Sequence, residues 1–484
     1  MNSIQTKRSQ VLAGLALLTL AAIAIHGYHV GIEDQDVYLA AAKKALNPSL
    51  YPVNAEFFTE QMQASLFIPA LAFTARLFGF PWALALWHVV SLFLILLGCR
   101  QIVVLLFEQE SARWAAVALV TAMLTIPIAG TALYPVDQYL HPRAPATAGI
   151  LLAIAAVLQQ RWVRAGLWTA AAIAMHPLMA AFGISLAVFL CAPFEGTALT
   201  AMLLPFGWTA HVSETWKQAA MARTYYFPLR WHWYEWIGVL APVILMYRVA
   251  WLAKKRKSTM LQRVATRLVA FAIFQTIIAL MLTVPESTLQ FAALQPMRWL
   301  HIFYFFFLII SGGLLGEFVL QRHKSRWLLL FGALAATMFC AQRITFAHSN
   351  HIEWPGALPR NEWAKAFLWV RTNTEAADVF ALDPKYMDLA GEDAYGFRAW
   401  AERSLLAEDQ KDPGAATVFP QLLDKWQEQV EATRGIEHFD EAKLRDLNRR
   451  FGVNWIILPS TAKPPLANCP FQNTATIVCS LDRN

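Results

Sequence analysis

The sequence predicts a polytopic α-helical membrane protein that carries a soluble α/β domain at its C-terminus. Of the 484 residues, 57% are hydrophobic and only 15% are charged, whereas a soluble globular chain carries about 25% charged residues. Charge also divides the chain. Residues 1–348 hold 25 Lys and Arg against 13 Asp and Glu, and residues 349–484 hold 15 against 20. We therefore predict a transmembrane domain over 1–348 and a separate domain over 349–484.

Apolar runs recur through the first domain, and a helix needs about 20 such residues to cross a membrane. We predict about eleven spans, of which the pair that meets at His176-Pro177 and the short run at 198–211 are the weakest. The segment 64–80 carries Arg76 and is interpreted as an interfacial helix instead. The predicted spans cover residues 11–27, 82–107, 114–133, 144–159, 165–177, 178–194, 198–211, 236–252, 264–284, 299–320 and 327–346.

Positive residues concentrate in alternate turns, and such turns face the cytosol. The N-terminus is therefore predicted to be cytosolic, and an odd number of spans places the C-terminal domain outside. Because the basic residues serve orientation, they do not indicate a nucleic-acid partner. Short loops favour a bacterial inner (plasma) membrane. The basic turns contain Lys7-Arg8, Arg113, Arg161 with Arg164, 254–257 with Arg263, and Arg322 with Lys324 and Arg326.

Residues 349–484 alternate helix and strand patterns, which predicts an α/β layer fold. Cys469 and Cys479 flank one predicted strand; a disulfide is allowed outside the cytosol, and two free thiols remain equally open. The domain has no glycine-rich phosphate loop, zinc spacing or nucleophile elbow, so it is interpreted as an accessory or acceptor-binding domain. Helices are predicted over 362–372, 419–433 and 441–451, and strands over 378–382, 453–458 and 474–478.

Three carboxylates lie directly after the first span: Glu33, Asp34 and Asp36. They open an unusually long external loop, residues 28–81, and long ordered loops tend to be functional. A helix N-cap explains one acidic residue, Asp36 or Glu33. Three like charges this close together repel, which is typical of general-base chemistry or of a metal site.

The segment Asp34-Gln35-Asp36-Val37-Tyr38 resembles the acidic-x-x-x-Tyr signature of the GT-C superfamily of integral membrane glycosyltransferases. In that superfamily, a first span leads at once into an acidic motif and then a long external loop with interfacial helices. The resemblance extends to poorly characterised bacterial GT-C-like proteins, through the Gln-x-x-Arg at 295–298 and a motif within 396–411. It implies an inverting transferase that takes a sugar from a polyprenyl-phosphate donor.

On this resemblance Asp34 is the catalytic base, Tyr38 completes the signature on the substrate side, and Asp36 and Glu33 are accessory carboxylates. The aminoarabinose-transferase and protein O-mannosyltransferase branches usually place a second acid directly after the first, where this chain has Gln35. Which carboxylate is the base is therefore left open. No cofactor is assigned with certainty, although the extra carboxylates could bind a divalent metal.

Cations are needed to bind the donor phosphate and to stabilise the leaving group. Arg298 is the first candidate, because its neighbours are uncharged and it begins a span. The alternative for each candidate is an interfacial arginine whose head reaches the lipid headgroups. The other candidates are Arg143 with His141, Arg230 with His232, and Arg223.

The leading hypothesis is therefore a membrane glycosyltransferase at the outer face, with the bilayer and a polyprenyl-phosphate-linked sugar as partners and an unknown lipid, glycan or protein acceptor. A transporter or flippase is the first alternative, and it predicts charged sites near the bilayer midplane. A non-catalytic assembly protein is the second.

Overall fold

The computed structural model describes residues 2–191, 212–389, 392–465 and 468–481. The predicted span at 198–211 lies outside these residues. A helical bundle is followed by a small domain with a mixed sheet. The helices before residue 346 are α1 Asn2–His26, α2 Gln35–Leu46, α3 Glu56–Thr59, α4 Phe67–Phe78, α5 Phe80–Leu106, α6 Glu110–Ala122, α7 Arg143–Leu158, α8 Trp162–Met175, α9 Pro177–Cys191, α10 Glu214–Met221, α11 Trp233–Lys255, α12 Thr259–Thr283, α13 Trp299–Leu315 and α14 Lys324–Thr345.

Six helical segments among the described residues are long and apolar enough to cross a membrane. Several predicted spans form shorter helices: the run at 114–133 gives α6, which has 13 residues, and the run at 165–177 gives α8, which has 14. The count of about eleven spans therefore stays a prediction. The six segments are Arg8–His26, Phe80–Leu106, Trp233–Lys255, Thr259–Thr283, Pro296–Leu320 and Lys324–Thr345.

The chain between α1 and α5 folds into α2, α3 and α4. The predicted helix at 64–80 is α4, and its buried side chains include Phe67 and Leu71. These pack with Leu39 of α2 and Leu84 of α5 into one apolar cluster. The long loop is therefore an ordered layer at one end of the bundle, and α2 is held by its apolar face. Burying each such Leu or Phe contributes roughly 1.5–3 kcal/mol.

The C-terminal domain contains a five-stranded mixed sheet in the order β2-β1-β3-β5-β4. β1 runs parallel to β2 and β3, whereas β5 is antiparallel to β3 and β4. The α/β prediction is confirmed in its alternation of helices and strands. The elements are α15 Glu362–Asn373, β1 Val379–Ala381, α16 Phe397–Ala401, β2 Ser404–Leu405, α17 Asp412–Val418, α18 Leu423–Thr433, α19 Glu441–Phe451, β3 Trp455–Pro459, β4 Phe471–Gln472 and β5 Thr476–Ser480.

Both faces of this sheet are covered. Side chains on successive strand residues point to opposite faces, so Phe380 packs with Phe367 of α15 on one face. Ala381 packs with Leu444 of α19 on the other. Cys479 of β5 forms a disulfide with Cys469. Of the two options left open for this pair, the structure has the disulfide.

The C-terminal domain is joined to the loop after α1 by backbone pairing. The N–H of Tyr28 donates to the carbonyl of His351 at 3.0 Å, and the N–H of Glu353 donates back to Tyr28 at 2.8 Å. Further along, the N–H of Glu33 donates to the carbonyl of Ala394 at 3.0 Å. Because this segment leads directly into the acidic motif, the C-terminal domain fixes where Glu33 and Asp34 lie.

Candidate functional site

A cavity of about 800 Å³ lies where the bundle meets the C-terminal domain. Its walls come from the end of α14, from the starts of α7 and α9, and from the segments before α11 and α13. The loop after α1 and the C-terminal domain complete it. The charged and histidine side chains that line it are Glu33, Asp34, Asp137, His141, Arg143, His176, Arg223, Arg298, Glu392, Asp393 and Lys411.

Asp34 lies at the N-cap of α2, and its side chain makes no capping hydrogen bond there. It exposes 34% of its surface and lines the cavity. One carboxylate oxygen lies 3.1 Å from Nζ of Lys411 and the other lies 3.3 Å from Nε2 of His141. Burial alone would raise the pKa of Asp34, but Lys411, His141 and Arg143 together hold that pKa well below its ordinary value. Asp34 is therefore ionised and oriented from both sides.

The orientation of His141 fixes which ring nitrogen carries the proton. Nδ1 accepts a hydrogen bond from the backbone N–H of Arg143 at 3.0 Å. Burial, with Arg143 nearby, lowers the pKa of His141 to about 4, so the ring is neutral at pH 7. A neutral ring whose Nδ1 accepts carries its proton on Nε2. His141 therefore points an N–H at Asp34, and the ring of Tyr38 packs edge-on against it with centroids 4.7 Å apart.

Lys411 crosses from the C-terminal domain to the acidic motif. Its Nζ lies 2.6 Å from Oε2 of Glu33 and 3.1 Å from Oδ1 of Asp34. Burial would lower the pKa of Lys411, but the two carboxylates raise it well above its ordinary value. The residue is only 10% exposed, so the ion pair is closely held. One ammonium thus pairs with two adjacent carboxylates and leaves the group of three with one net negative charge.

The other cations of the cavity differ in their partners. Arg143 is buried and pairs with Asp137 at 2.8 Å. Arg298 also lines the cavity, and its buried Nε has no hydrogen-bond partner among the described residues. Within that part of the chain, no carboxylate lies within 4.0 Å of its guanidinium. Arg298 is therefore a cation that lines the same cavity as the ionised Asp34 and pairs with no carboxylate of the described residues.

The structure thus brings seven of the ten predicted site residues to one cavity: Glu33, Asp34, Tyr38, His141, Arg143, Arg223 and Arg298. Arg230 and His232 do not line it. Both are exposed at the start of α11; Arg230 lies 5.8 Å from the ring of Phe227, and His232 stacks on Tyr234. The expectation that these two bind substrate in the same cavity as Asp34 is not supported, because neither residue is part of its lining.

Asp36 is the third predicted residue that the cavity lacks. It belongs to the first turn of α2, and residues two apart on a helix do not face the same way. Its side chain is 0% exposed and lies 3.6 Å from the guanidinium of Arg398, while Oδ1 accepts the N–H of Ala399 at 2.9 Å. Asp36 therefore joins the two domains. Asp36 was expected to be an accessory catalytic carboxylate, and this expectation is wrong because its side chain does not reach the cavity. It is also not the N-cap of α2, which is Asp34.

The arrangement of the carboxylates in the acidic motif shows whether they could bind a metal together. Asp36 points away from Glu33 and Asp34, and these two share Lys411. Among the described residues, no group of three His, Cys, Asp or Glu side chains is arranged to hold a metal ion. The residues present do not form a ready ligand set, so no chemical step is assigned to a metal.

Two functional candidates escaped the sequence analysis, Lys411 and Asp137. Lys411 falls at the end of the motif noted within 396–411, but nothing in that motif predicts a contact with a residue 378 positions away. Asp137 lies two residues after Pro135, in a turn between apolar runs. Carboxylates are rare in this part of the chain, so an aspartate close in sequence to Arg143 could have indicated an ion pair.

No protein-family model and no curated protein matches the chain. Among solved structures, it is similar to the archaeal oligosaccharyltransferase AglB from Archaeoglobus fulgidus, which was solved in complex with an inhibitory peptide and a dolichol-phosphate. The two chains are 10% identical, the TM-score is 0.37, and the match covers 94% of this chain and 70% of that chain. A similarity of this degree carries no argument about fold or activity.

Proposed function

We propose that this protein is a membrane glycosyltransferase that moves a sugar from a polyprenyl-phosphate donor to an acceptor hydroxyl. The observation that carries the proposal is the meeting of Asp34 and Arg298 on one cavity beside the apolar helices. A base for the acceptor and an unpaired cation for the donor phosphate are the two groups this reaction needs. The GT-C resemblance of the acidic motif points to the same chemistry.

In the proposed reaction, the acceptor oxygen attacks the anomeric carbon of the donor sugar. Its proton goes to the carboxylate of Asp34, and the bond between the anomeric carbon and the phosphate oxygen breaks. The electron pair of that bond leaves with the phosphate, which gains one negative charge. Arg298 supplies positive charge for the phosphate, and attack from the face opposite the leaving group inverts the anomeric centre.

Two features support an outward-facing cavity. The basic turns Arg161–Arg164 and 254–257 lie at the ends of α8 and α11 remote from the cavity, which is the pattern of cytosolic turns. The disulfide between Cys469 and Cys479 suits an oxidising compartment. We therefore propose an extracytoplasmic C-terminal domain in a bacterial inner membrane.

The lining residues also bear on the transporter alternative. Such proteins place their substrate site near the bilayer midplane, on broken helices. Here the charged lining comes from helix ends and connecting segments, at one end of the bundle. That distribution favours chemistry at a membrane surface over passage through the membrane.

The test is sugar transfer by the full chain in lipid nanodiscs, with a panel of polyprenyl-phosphate-linked sugars. Asp34→Asn should reduce turnover by about 10²–10⁴-fold, the usual contribution of a positioned base. Asp424→Asn, an exposed acidic residue of α18, is the matched control and should keep full turnover. Unchanged turnover in Asp34→Asn would remove Asp34 from the mechanism. Failure of the wild type to bind any polyprenyl phosphate would overturn the whole proposal.

A further inference from the structure

Lys411 is held on a loop of the C-terminal domain that is fixed by contacts from both domains. The carboxylate of Glu408 accepts the N–H groups of Gln410 and Asp412, each at 2.7 Å. Arg398 closes the loop with two hydrogen bonds to Asp412, at 2.8 and 2.6 Å. The backbone around Lys411 is therefore rigid, so a change of partner would move only the Lys411 side chain.

The membrane domain holds the same loop from the other side. Arg223, which lies between α10 and α11, donates to the carbonyls of Gln410 at 2.8 Å and Lys411 at 2.9 Å. Gly414 lies against this guanidinium, where an added Cβ would come within 2.7 Å of it. Arg398 and Arg223, from different parts of the chain, thus fix the loop from which Lys411 lines the cavity.

From this arrangement we infer that Lys411 is a ligand of the donor phosphate, and that in the unliganded protein Glu33 and Asp34 occupy its ammonium. The inference rests on the proposed function and deepens it, because it makes the C-terminal domain a part of the active site. An entering phosphate and the two carboxylates are then alternative partners for one ammonium. Arg298, which has no carboxylate partner in the part of the chain that the structure describes, provides the first contact that draws the phosphate in.

The charge changes of the reaction favour this exchange. A sugar-phosphate diester carries one negative charge, and the released polyprenyl phosphate carries a second one at neutral pH. In the same step Asp34 takes the acceptor proton and becomes neutral. Asp34, a competitor of the phosphate for Lys411, therefore loses its charge in the same step in which the phosphate gains one. A cation placed between the two sites stabilises the leaving group without any movement of the backbone.

The experiment measures binding of farnesyl phosphate and of uncharged farnesol to the full chain in nanodiscs. Lys411→Met should weaken farnesyl phosphate binding by about tenfold or more, the effect of losing one charge-assisted contact, and leave farnesol binding unchanged. Lys385→Met, an exposed lysine of the same domain, is the matched control and should bind both ligands as the wild type does.

A second variant separates a phosphate ligand from a structural strut. Glu33→Gln removes one competing partner of Lys411, so it should tighten farnesyl phosphate binding. In the Lys411→Met background, the same substitution should lose most of that effect, which a double-mutant cycle measures. If Lys411 had only a structural role, the effects of Glu33→Gln and Lys411→Met on farnesyl phosphate binding would be additive. If Lys411→Met prefers farnesyl phosphate over farnesol as strongly as the wild type does, the inference is overturned and the proposed function stands. A wild type without that preference would overturn both.

Discussion

Asp34 and Asp36 are two positions apart, yet the two carboxylates lie in opposite kinds of surroundings. Asp34 exposes 34% of its side chain, lines a cavity and shares the ammonium of Lys411 with Glu33. Asp36 is wholly buried, and its partners Arg398 and Ala399 come from a packed helix. Within one turn at the start of α2, Asp34 is therefore open to a ligand, whereas Asp36 holds the two domains together.

The difference shows how one acidic motif can serve both assembly and chemistry. Burial raises the pKa of Asp36 although Arg398 opposes it, whereas Lys411 and His141 hold the pKa of Asp34 low. A buried charge with an internal partner costs desolvation and has no capacity left for a ligand. Asp34 keeps its exposure, and so it alone of the two is available to a substrate.

The largest effect is expected on the buried side of the comparison. Arg398→Met leaves Asp36 and Asp412 buried without their cation, so the free energy of unfolding should fall by about 3–5 kcal/mol. Thermal unfolding in detergent, together with protease release of the C-terminal domain, measures this loss. Arg371→Met removes a surface ion pair with Glu402 and should cost less than about 1 kcal/mol. Equal effects of the two variants would mean that the buried network does not hold the domains.

On the cavity side, Arg298→Gln should weaken farnesyl phosphate binding by about tenfold or more. The reason is that no carboxylate of the described residues lies within 4.0 Å of the Arg298 guanidinium, so its loss removes a ligand contact and leaves none of those carboxylates unpaired. Stability should therefore change little. Arg230→Gln, at an exposed position outside the cavity, is the control. Equal binding by both variants would assign the phosphate to other cations.

The close approach of the two domains can be probed at Gly396. An added Cβ at this position would lie 2.4 Å from Cβ of Asp36, so Gly396→Ala must separate α2 from α16. We expect a loss of about 1–3 kcal/mol in unfolding free energy, the usual cost of overpacking. Gly332→Ala, where a Cβ meets nothing within 4 Å, serves as the control in the same thermal unfolding measurement. An unperturbed Gly396→Ala would argue against this packing.

The smallest expected effect is on the pH dependence of turnover. Lys411 stabilises the ionised form of Asp34, so Lys411→Met should raise the pKa of Asp34. The acid limb of kcat/KM should then move to higher pH by roughly one unit. The other groups that favour the ionised form of Asp34 are His141 and Arg143, and Arg223 and Arg298 also interact with its charge.

The limb of kcat itself should move less, because bound phosphate has already taken Lys411 from Asp34. A pH–rate profile with Lys385→Met as the control measures both limbs. An unmoved kcat/KM limb would show that Asp34 is not the titrating base.

Much of the fold was accessible from local pattern. The amphipathic helix predicted at 441–451 is α19, and the one at 362–372 is α15, extended by one residue. The two-residue strands β2 and β4 had no signal, since their pairing depends on neighbouring strands. The count of about eleven spans stays a prediction, because several of the apolar runs form helices shorter than 18 residues and apolar content does not reveal where a helix breaks.

The candidate site was only partly accessible for a different reason. The acidic motif and Arg298 stand out because charges are rare in apolar sequence. The separation of Asp34 from Asp36 required the exact start of α2, and helix boundaries are poorly determined by sequence. The contact with Lys411 joins residues 377 or more positions apart along the chain, which no local pattern encodes.

The pairing of Tyr28 with His351 and Glu353 has a consequence for how the protein is made. A ribosome delivers the acidic motif early and its backbone partners more than 300 residues later. Contacts of such long range form late, because the loop between them must close first. The half-synthesised chain therefore has a membrane bundle but no finished cavity. Under the proposed function, the chain can therefore transfer no sugar until the C-terminal domain has emerged and docked.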